Sequence, residues 1–277
     1  MKKIVFLFIL LSLIVKSQTQ NPLYSQGNIR KFADHLFMEK DYLRSVFEYE
    51  KLSQYGSNDT IQFKIPVAYQ LMGKYDLALQ KFFEINKKSV YYGESKREYY
   101  KTLFLANKYN ELQSKLVGNE VKDFQRLLYL SYLFTSVELP EEQKFLNVFP
   151  IFEKGNIRKF FNEKKSPPYK SSLLAGLFST IIPGSGKLYL GDIGDGITAF
   201  IASSLFAFLS YDNFRANHNF RGWLFSGIGF LFYTGNIYGS VAAAQIYNAR
   251  VDYEYKEKLK EYLNDKNYFI KRNDFVK

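Results

Sequence analysis

The sequence predicts an all-α chain in two parts: an array of helical hairpins, then a two-span transmembrane helical hairpin with a short membrane-entering helix before it. Three observations predict it. Tyr42, Tyr75 and Tyr109 stand 33 and 34 residues apart in similar local contexts, the spacing of a stacked two-helix unit. Pro167-Pro168 marks a sharp change of composition, and most of the 17 glycines lie beyond it. Two apolar runs follow, residues 194–211 and 223–246, each long enough to cross a hydrocarbon core.

Residues 1–17 read as a cleavable signal peptide. Lys2 and Lys3 give a positive start, residues 4–15 are apolar, and Ser17 offers a small residue before the cut. A run of about 12 residues, at about 1.5 Å each, falls short of a core about 30 Å thick.

Aromatic residues make up 18% of the 277, including 23 Tyr and 27 Phe, which excludes a disordered chain and suits helices packed through large side chains. The formal net charge is +11, but Lys2, Lys3 and Lys16 lie in the leader and the other basic residues are interleaved with Asp and Glu. No nucleic-acid module is recognisable, so no nucleic acid is expected, and a lipid bilayer with anionic headgroups is the fitting acidic partner. The chain has no cysteine. That excludes disulfides, a lipid anchor on Cys, thiolate metal sites and Cys nucleophiles. His35 and His218 alone supply neither a His-rich metal site nor a triad, so no cofactor, metal or catalytic residue is assigned.

Residues 18–165 form the repeat domain. Its second copy is the most complete: Ala68-Tyr69-Gln70-Leu71-Met72-Gly73-Lys74-Tyr75-Asp76-Leu77-Ala78, then Phe82. Gly73 is small where one helix must approach the next, Tyr75 opens the second helix, and Ala78 and Phe82 share a face at i, i+4. The region resembles the tetratricopeptide repeat family, with Tyr42, Gly73, Tyr75, Ala78, Phe82 and Tyr109 at repeat positions. The first copy departs with Ser45 where a small Ala is expected, the third with Leu112 there and Ala106 at the Gly position. Residues 124–134 and 140–149 read as a fourth, degenerate hairpin and residues 151–161 as a capping helix. The resemblance implies a stack of hairpins that presents a concave surface to a protein partner. Tyr91, Tyr92, Tyr99 and Tyr100 read as core rather than as a binding stripe.

Residues 166–250 form the membrane module. Residues 171–182 are apolar but too short to cross, and they end at Pro183-Gly184-Ser185-Gly186. Small residues recur every fourth position in both long runs: Ala199, Ser203 and Ala207 in the first, Gly235, Gly239 and Ala243 in the second. These faces are expected to pack the two spans together, and they also allow copies of the hairpin to form a homo-oligomer. Tyr211, Phe214, Phe220 and Trp223 bracket the connecting turn, while Tyr189, Tyr247 and Tyr253 mark the opposite interface. Asn236 reads as an inter-helix hydrogen bonder and Asp195 as a cap at a helix start. In residues 251–277, Val251, Tyr255, Leu259 and Leu263 define an amphipathic helix suited to a headgroup layer.

Several short stretches carry a second resemblance. They are Pro183-Gly184-Ser185-Gly186-Lys187-Leu188-Tyr189-Leu190-Gly191, Asp195-Gly196 and Tyr233-Thr234-Gly235-Asn236-Ile237-Tyr238-Gly239. Together they resemble a family of bacterial Gly-rich, membrane-associated C-terminal domains similar to the two-span TM2-like group. The resemblance implies a place and an architecture, with no reaction attached. Related domains occur beside a membrane-protein insertion efficiency factor, which implies a link to envelope biogenesis.

Reactive chemistry finds no foothold. Gly184-Ser185-Gly186-Lys187 looks like the end of a phosphate-binding loop, but Leu188 stands where Ser or Thr is needed. Residues 191–196 lack the spaced acidic ligands of a calcium loop. The expected role is a non-enzymatic, membrane-anchored envelope scaffold that binds a protein partner through its repeats. The alternative is a component of membrane-protein biogenesis or transport whose hairpin is the active part. The expected place is the inner membrane of a Gram-negative bacterium, with the repeats in the periplasm. Charge disagrees with that topology, because Arg158, Lys159, Lys164, Lys165 and Lys170 flank the exported side while the turn holds Arg215 and Arg221.

Overall fold

A computed structural model describes residues 25–56 and 58–266. The expected leader over residues 1–17 lies outside the described residues, as does the end of the tail, residues 267–277. Every regular element among the described residues is a helix. The chain divides into two compact units, the first running through Pro150 and the second starting at Ile151.

The first unit holds α1 (Gln26–Met38), α2 (Tyr42–Ser53), α3 (Asp59–Leu71), α4 (Tyr75–Phe83), α5 (Tyr92–Leu105), α6 (Tyr109–Leu116), α7 (Lys122–Phe134) and α8 (Glu142–Leu146). Successive helices from α1 through α7 pack on one another. Three of the connections are the same turn. Lys40, Gly73 and Asn107 adopt φ of 63°, 72° and 57°. The amides of Asp41, Lys74 and Lys108 donate back to the carbonyls of Leu36, Tyr69 and Leu103, each at 2.9 Å. A six-to-one bond of this kind around a left-handed residue is a Schellman cap, and it turns the chain sharply into the next helix. Tyr42, Tyr75 and Tyr109 are the first residues of the helices that follow.

The repeat is therefore visible in backbone conformation, but Gly73 has a different job from the one expected. A Cβ there would meet nothing within 4 Å, so its left-handed φ, not close helix approach, sets the requirement. By the same token the matching residue of the third copy is Asn107, not Ala106, and that of the first is Lys40. Farther along, Ser45, Ala78 and Leu112 are all buried at the equivalent place. Ser45 keeps its hydroxyl satisfied by donating to the Ala33 carbonyl at 3.0 Å. The tyrosines are largely structural: Tyr91 stacks on Phe63, Tyr100 meets Phe124 edge-on and Tyr109 stacks on Phe134. Where the sequence suggests a fourth, degenerate hairpin, α7 is followed by α8, which is 5 residues long, with Phe145 stacked on Tyr129.

The second unit holds α9 (Ile151–Lys165), α10 (Ser172–Ile181), α11 (Ser185–Tyr189), α12 (Ile193–Arg215) and α13 (Asn219–Asp265). Here α12 and α10 lie against α13, and α11 bridges α10 and α12. Two boundaries differ from those expected. The capping helix, α9, belongs to the second unit, where Phe160 packs against Tyr255 and Tyr262 and its carbonyl accepts from the Tyr255 hydroxyl at 3.2 Å. The tail helix is not separate either, since α13 runs unbroken for 47 residues, about 70 Å at about 1.5 Å per residue. Its stripe of Tyr255, Leu259 and Leu263 is buried within the protein rather than presented to headgroups.

Among the described helices, α12 is long and apolar enough to cross a membrane. Residues 223–246 of α13 fall below that hydropathy because Gly, Tyr, Ser and Asn are threaded through the run.

Candidate functional site

The glycine motif forms an elbow between α10 and α12. Ile182 leaves the helical conformation before Pro183, and Gly184 follows with a left-handed φ of 87°. A Cβ on Gly184 would lie 2.0 Å from the Gly196 carbonyl oxygen, and one on Gly186 would lie 1.9 Å from the Ala175 carbonyl oxygen. Gly196 is closed off in turn by Leu188, 2.7 Å from its would-be Cβ. These three glycines are contact points between backbones. Gly191, also at φ 87°, repeats the Schellman turn of the first unit, with the Asp192 amide donating to the Lys187 carbonyl at 3.0 Å. Tyr189 braces the base of α10: its hydroxyl accepts from the Ser171 amide at 3.3 Å, and Lys170 Nζ lies 4.7 Å from its ring centre.

What the elbow holds together is turned inside out. The interior is small and polar: Ser179 and Ser240 share a hydrogen bond of 2.7 Å, the Gly186 amide donates to Ser179 at 3.0 Å, and Ser210 donates to the Gly222 carbonyl at 3.1 Å. The exterior carries Ile197, Ile201, Leu205, Phe208, Phe230 and Leu231, all exposed. Only 6% of the most apolar stretch of α12 is buried. Water would penalise such a surface, whereas hydrocarbon favours it and leaves polar groups to pair inside.

Gly235 and Gly239 do not make the close α12–α13 approaches expected of them. Gly235 has open space where a Cβ would stand, and the nearest atom to that of Gly239 is Lys187 Cε at 3.9 Å. The close approaches occur at Gly229, 3.1 Å from Phe206 Cβ, and at Gly222, 2.7 Å from the Phe214 ring. The reason is that α13 serves two partners. Its Ser240 and Val241 side faces α10, where a Cβ on Gly176 would come 2.9 Å from Val241, so Ala244 is buried and Ala243 only half-buried. Tyr233 ties the same side by donating to the Thr180 carbonyl, while Tyr238 is exposed. Ser203 and Ala207 line a hollow with Pro183, Phe206 and Gly229.

Ala199, Gly235, Asp195 and Asn236 do come together, in a groove of about 530 Å³ between α12 and α13. Lys187, Thr198, Ala202, Leu231 and Phe232 complete it. Lys187 Nζ stands 3.3 Å from Asp195 Oδ2 at one end. Asn236 is 8% exposed, and neither atom of its carboxamide has a hydrogen-bond partner. The expected inter-helix bond from Asn236 is thus not made, and Asp195 pairs with Lys187 while Asp192 occupies the N-cap of α12 without a side-chain bond.

No protein-family model, curated protein or solved structure matches this chain. Among the described residues no group of three or more His, Asp or Glu is placed to hold a metal ion.

Several contacts and one cleft were not legible in the sequence. Asn248 clamps the Lys170 backbone, accepting from its amide at 2.8 Å and donating to its carbonyl at 2.9 Å. Beside it, Tyr169 donates to Asp252, which together with burial pushes its hydroxyl up to about 12. Asn248 has no other asparagine of α13 at helical spacing beside it and so gives no periodic signal. In the first unit, a cleft of about 590 Å³ is lined by Phe82, Phe83, Tyr92, Tyr99, Lys87, Lys96 and Lys115. Phe83 is 80% exposed there, and Lys115 sits over the Tyr99 ring at 5.8 Å from its centre.

Proposed function

We propose that this protein is a membrane-anchored scaffold of the bacterial envelope. In this reading α12 and residues 223–246 of α13 are two spans, and the first unit is a tetratricopeptide-like array that holds a protein partner. The observation that carries the reading is the inverted polarity of the second unit, with serines paired inside and Leu, Ile and Phe outside. The lysine-rimmed aromatic cleft of the first unit supports an acidic, aromatic-bearing segment as partner. A signal peptide would place that unit in the periplasm.

The absence of native cysteine makes the topology directly testable. Single substitutions Lys144→Cys, His218→Cys and Lys256→Cys are labelled in intact cells with a membrane-impermeant maleimide. Reaction at 144 and 256 with protection at 218 supports the reading; uniform labelling, or release of the chain by alkaline carbonate, rejects it. A photocrosslinker at position 83 should then trap the partner while one at Val117 does not.

A second reading follows from the groove beside Asn236: the hairpin itself acts on membrane clients during biogenesis or transport. Crosslinks to clients from residues 235–243, without any from the first unit, would favour it.

A further inference from the structure

The groove between α12 and α13 has a charged mouth, an apolar wall and one stranded polar group. Gly235 leaves space that a larger residue could fill, and Asn236 beside it buries a carboxamide with two donors and an acceptor unused. In a lipid-facing segment such a group is strongly unfavourable unless something pairs with it. Thr198, Ala199 and Ala202 descend α12 from Asp195, so the floor of the groove lies about 5–10 Å below the ion pair at about 1.5 Å per residue.

We propose that this groove binds one phospholipid whose headgroup carries both a phosphate and a primary ammonium. The Lys187 ammonium receives the phosphate, the exposed Asp195 carboxylate receives the headgroup ammonium, and the Asn236 carboxamide bonds to the glycerol-ester layer beneath. One acyl chain lies over Ala199, Ala202, Leu231 and Phe232. Charge complementarity selects this occupant. A purely anionic headgroup would set its phosphate against Asp195 as well as Lys187, and a neutral diacylglycerol would leave the pair closed on itself. The volume of about 530 Å³ is that of a small-ligand pocket, and the apolar side chains that line it continue onto the exposed belt of the second unit. The inference rests on the membrane reading of that unit.

The test uses the full chain in mild detergent, examined by native mass spectrometry with phosphatidylethanolamine, phosphatidylglycerol and diacylglycerol added in turn. One phosphatidylethanolamine per chain should be retained about tenfold more strongly than either of the others. Lys187→Gln should weaken that retention about tenfold. Asp195→Asn, an exposed and nearly isosteric change that spares the fold, should abolish the preference over phosphatidylglycerol. Asn236→Leu should weaken all three lipids with no fall in melting temperature. Equal retention of the three lipids, indifference to all three substitutions, or a polypeptide in place of the lipid overturns the proposal while the membrane reading stands. A chain that is monodisperse in buffer without detergent overturns both.

Discussion

At Lys40 and Asn107 the chain spends about 1 kcal/mol to hold a side-chain-bearing residue in left-handed conformation, and at Gly73 it spends none. Lys40→Gly and Asn107→Gly should therefore raise stability slightly, by up to about 1 kcal/mol, with the smaller gain at Asn107 because Asn tolerates this region. Gly73→Ala should lower it by about 1 kcal/mol although the space is open. Urea unfolding of the full chain in detergent, followed by circular dichroism, measures all three. The glycines of the second unit divide the other way. Gly186→Ala drives a methyl into the Ala175 carbonyl and should cost about 3 kcal/mol or prevent folding, whereas Gly235→Ala meets nothing and should be neutral or gain up to about 1 kcal/mol. Thermal denaturation of the two variants separates these cases. A large loss at Gly235 would restore the small-residue packing that the sequence suggests.

Helices α2, α4 and α6 of the first unit were legible because each begins on a tyrosine two residues after a left-handed turn residue and buries a pair at i, i+4: Ser45 and Tyr49, Ala78 and Phe82, Leu112 and Leu116. Two half-buried tyrosines of the first unit add a pH dependence. Burial pushes the Tyr109 hydroxyl from its ordinary 10.0 up to about 12, and burial followed by the Glu111 carboxylate does the same for Tyr99. Below pH 10 both folded and unfolded chains keep these protons, and between pH 10 and about 12 only the folded chain does. Stability should thus fall as pH rises through that window, by on the order of 2 kcal/mol for Tyr109. Tyr109→Phe should flatten the fall in stability across that window, measured by urea unfolding from about pH 9 to about pH 11.5; an unchanged pH dependence would show the Tyr109 ring to be solvated. The length of α13 was not legible. Hydropathy suggested a boundary near residue 250, but Tyr247, Asn248, Ala249 and Arg250 contain neither Gly nor Pro, and nothing local stops a helix there. The packing of α12 on α13 was legible, but not that Gly222 and Gly229 rather than Gly235 and Gly239 make the close approaches, because spacing identifies a small-residue face but not which of two neighbours will take it. Lys187 was dismissed as a failed phosphate loop, since its pairing with Asp195 depends on the Gly191 turn.

For the molecule as a whole, the question is what solvates the exposed apolar surface of the second unit. Leu205 lies midway along α12 and Leu231 lies on the outer face of α13. In water, replacing either exposed leucine with lysine should change stability by no more than about 0.5 kcal/mol. In a bilayer the same change near the midplane costs about 2.5–3.5 kcal/mol of insertion, while Ile197→Lys close to the helix end can extend its ammonium to the interface at little cost. The alkali-resistant membrane fraction of each variant reads the difference. Loss at positions 205 and 231 with retention at 197 fits two spans. Loss at 205 alone makes α12 the single crossing and removes α13 from the lipid, and with it the bilayer that the groove beside Asn236 faces. Retention of all three variants assigns the apolar face to a protein partner instead, because only another protein could then be covering it.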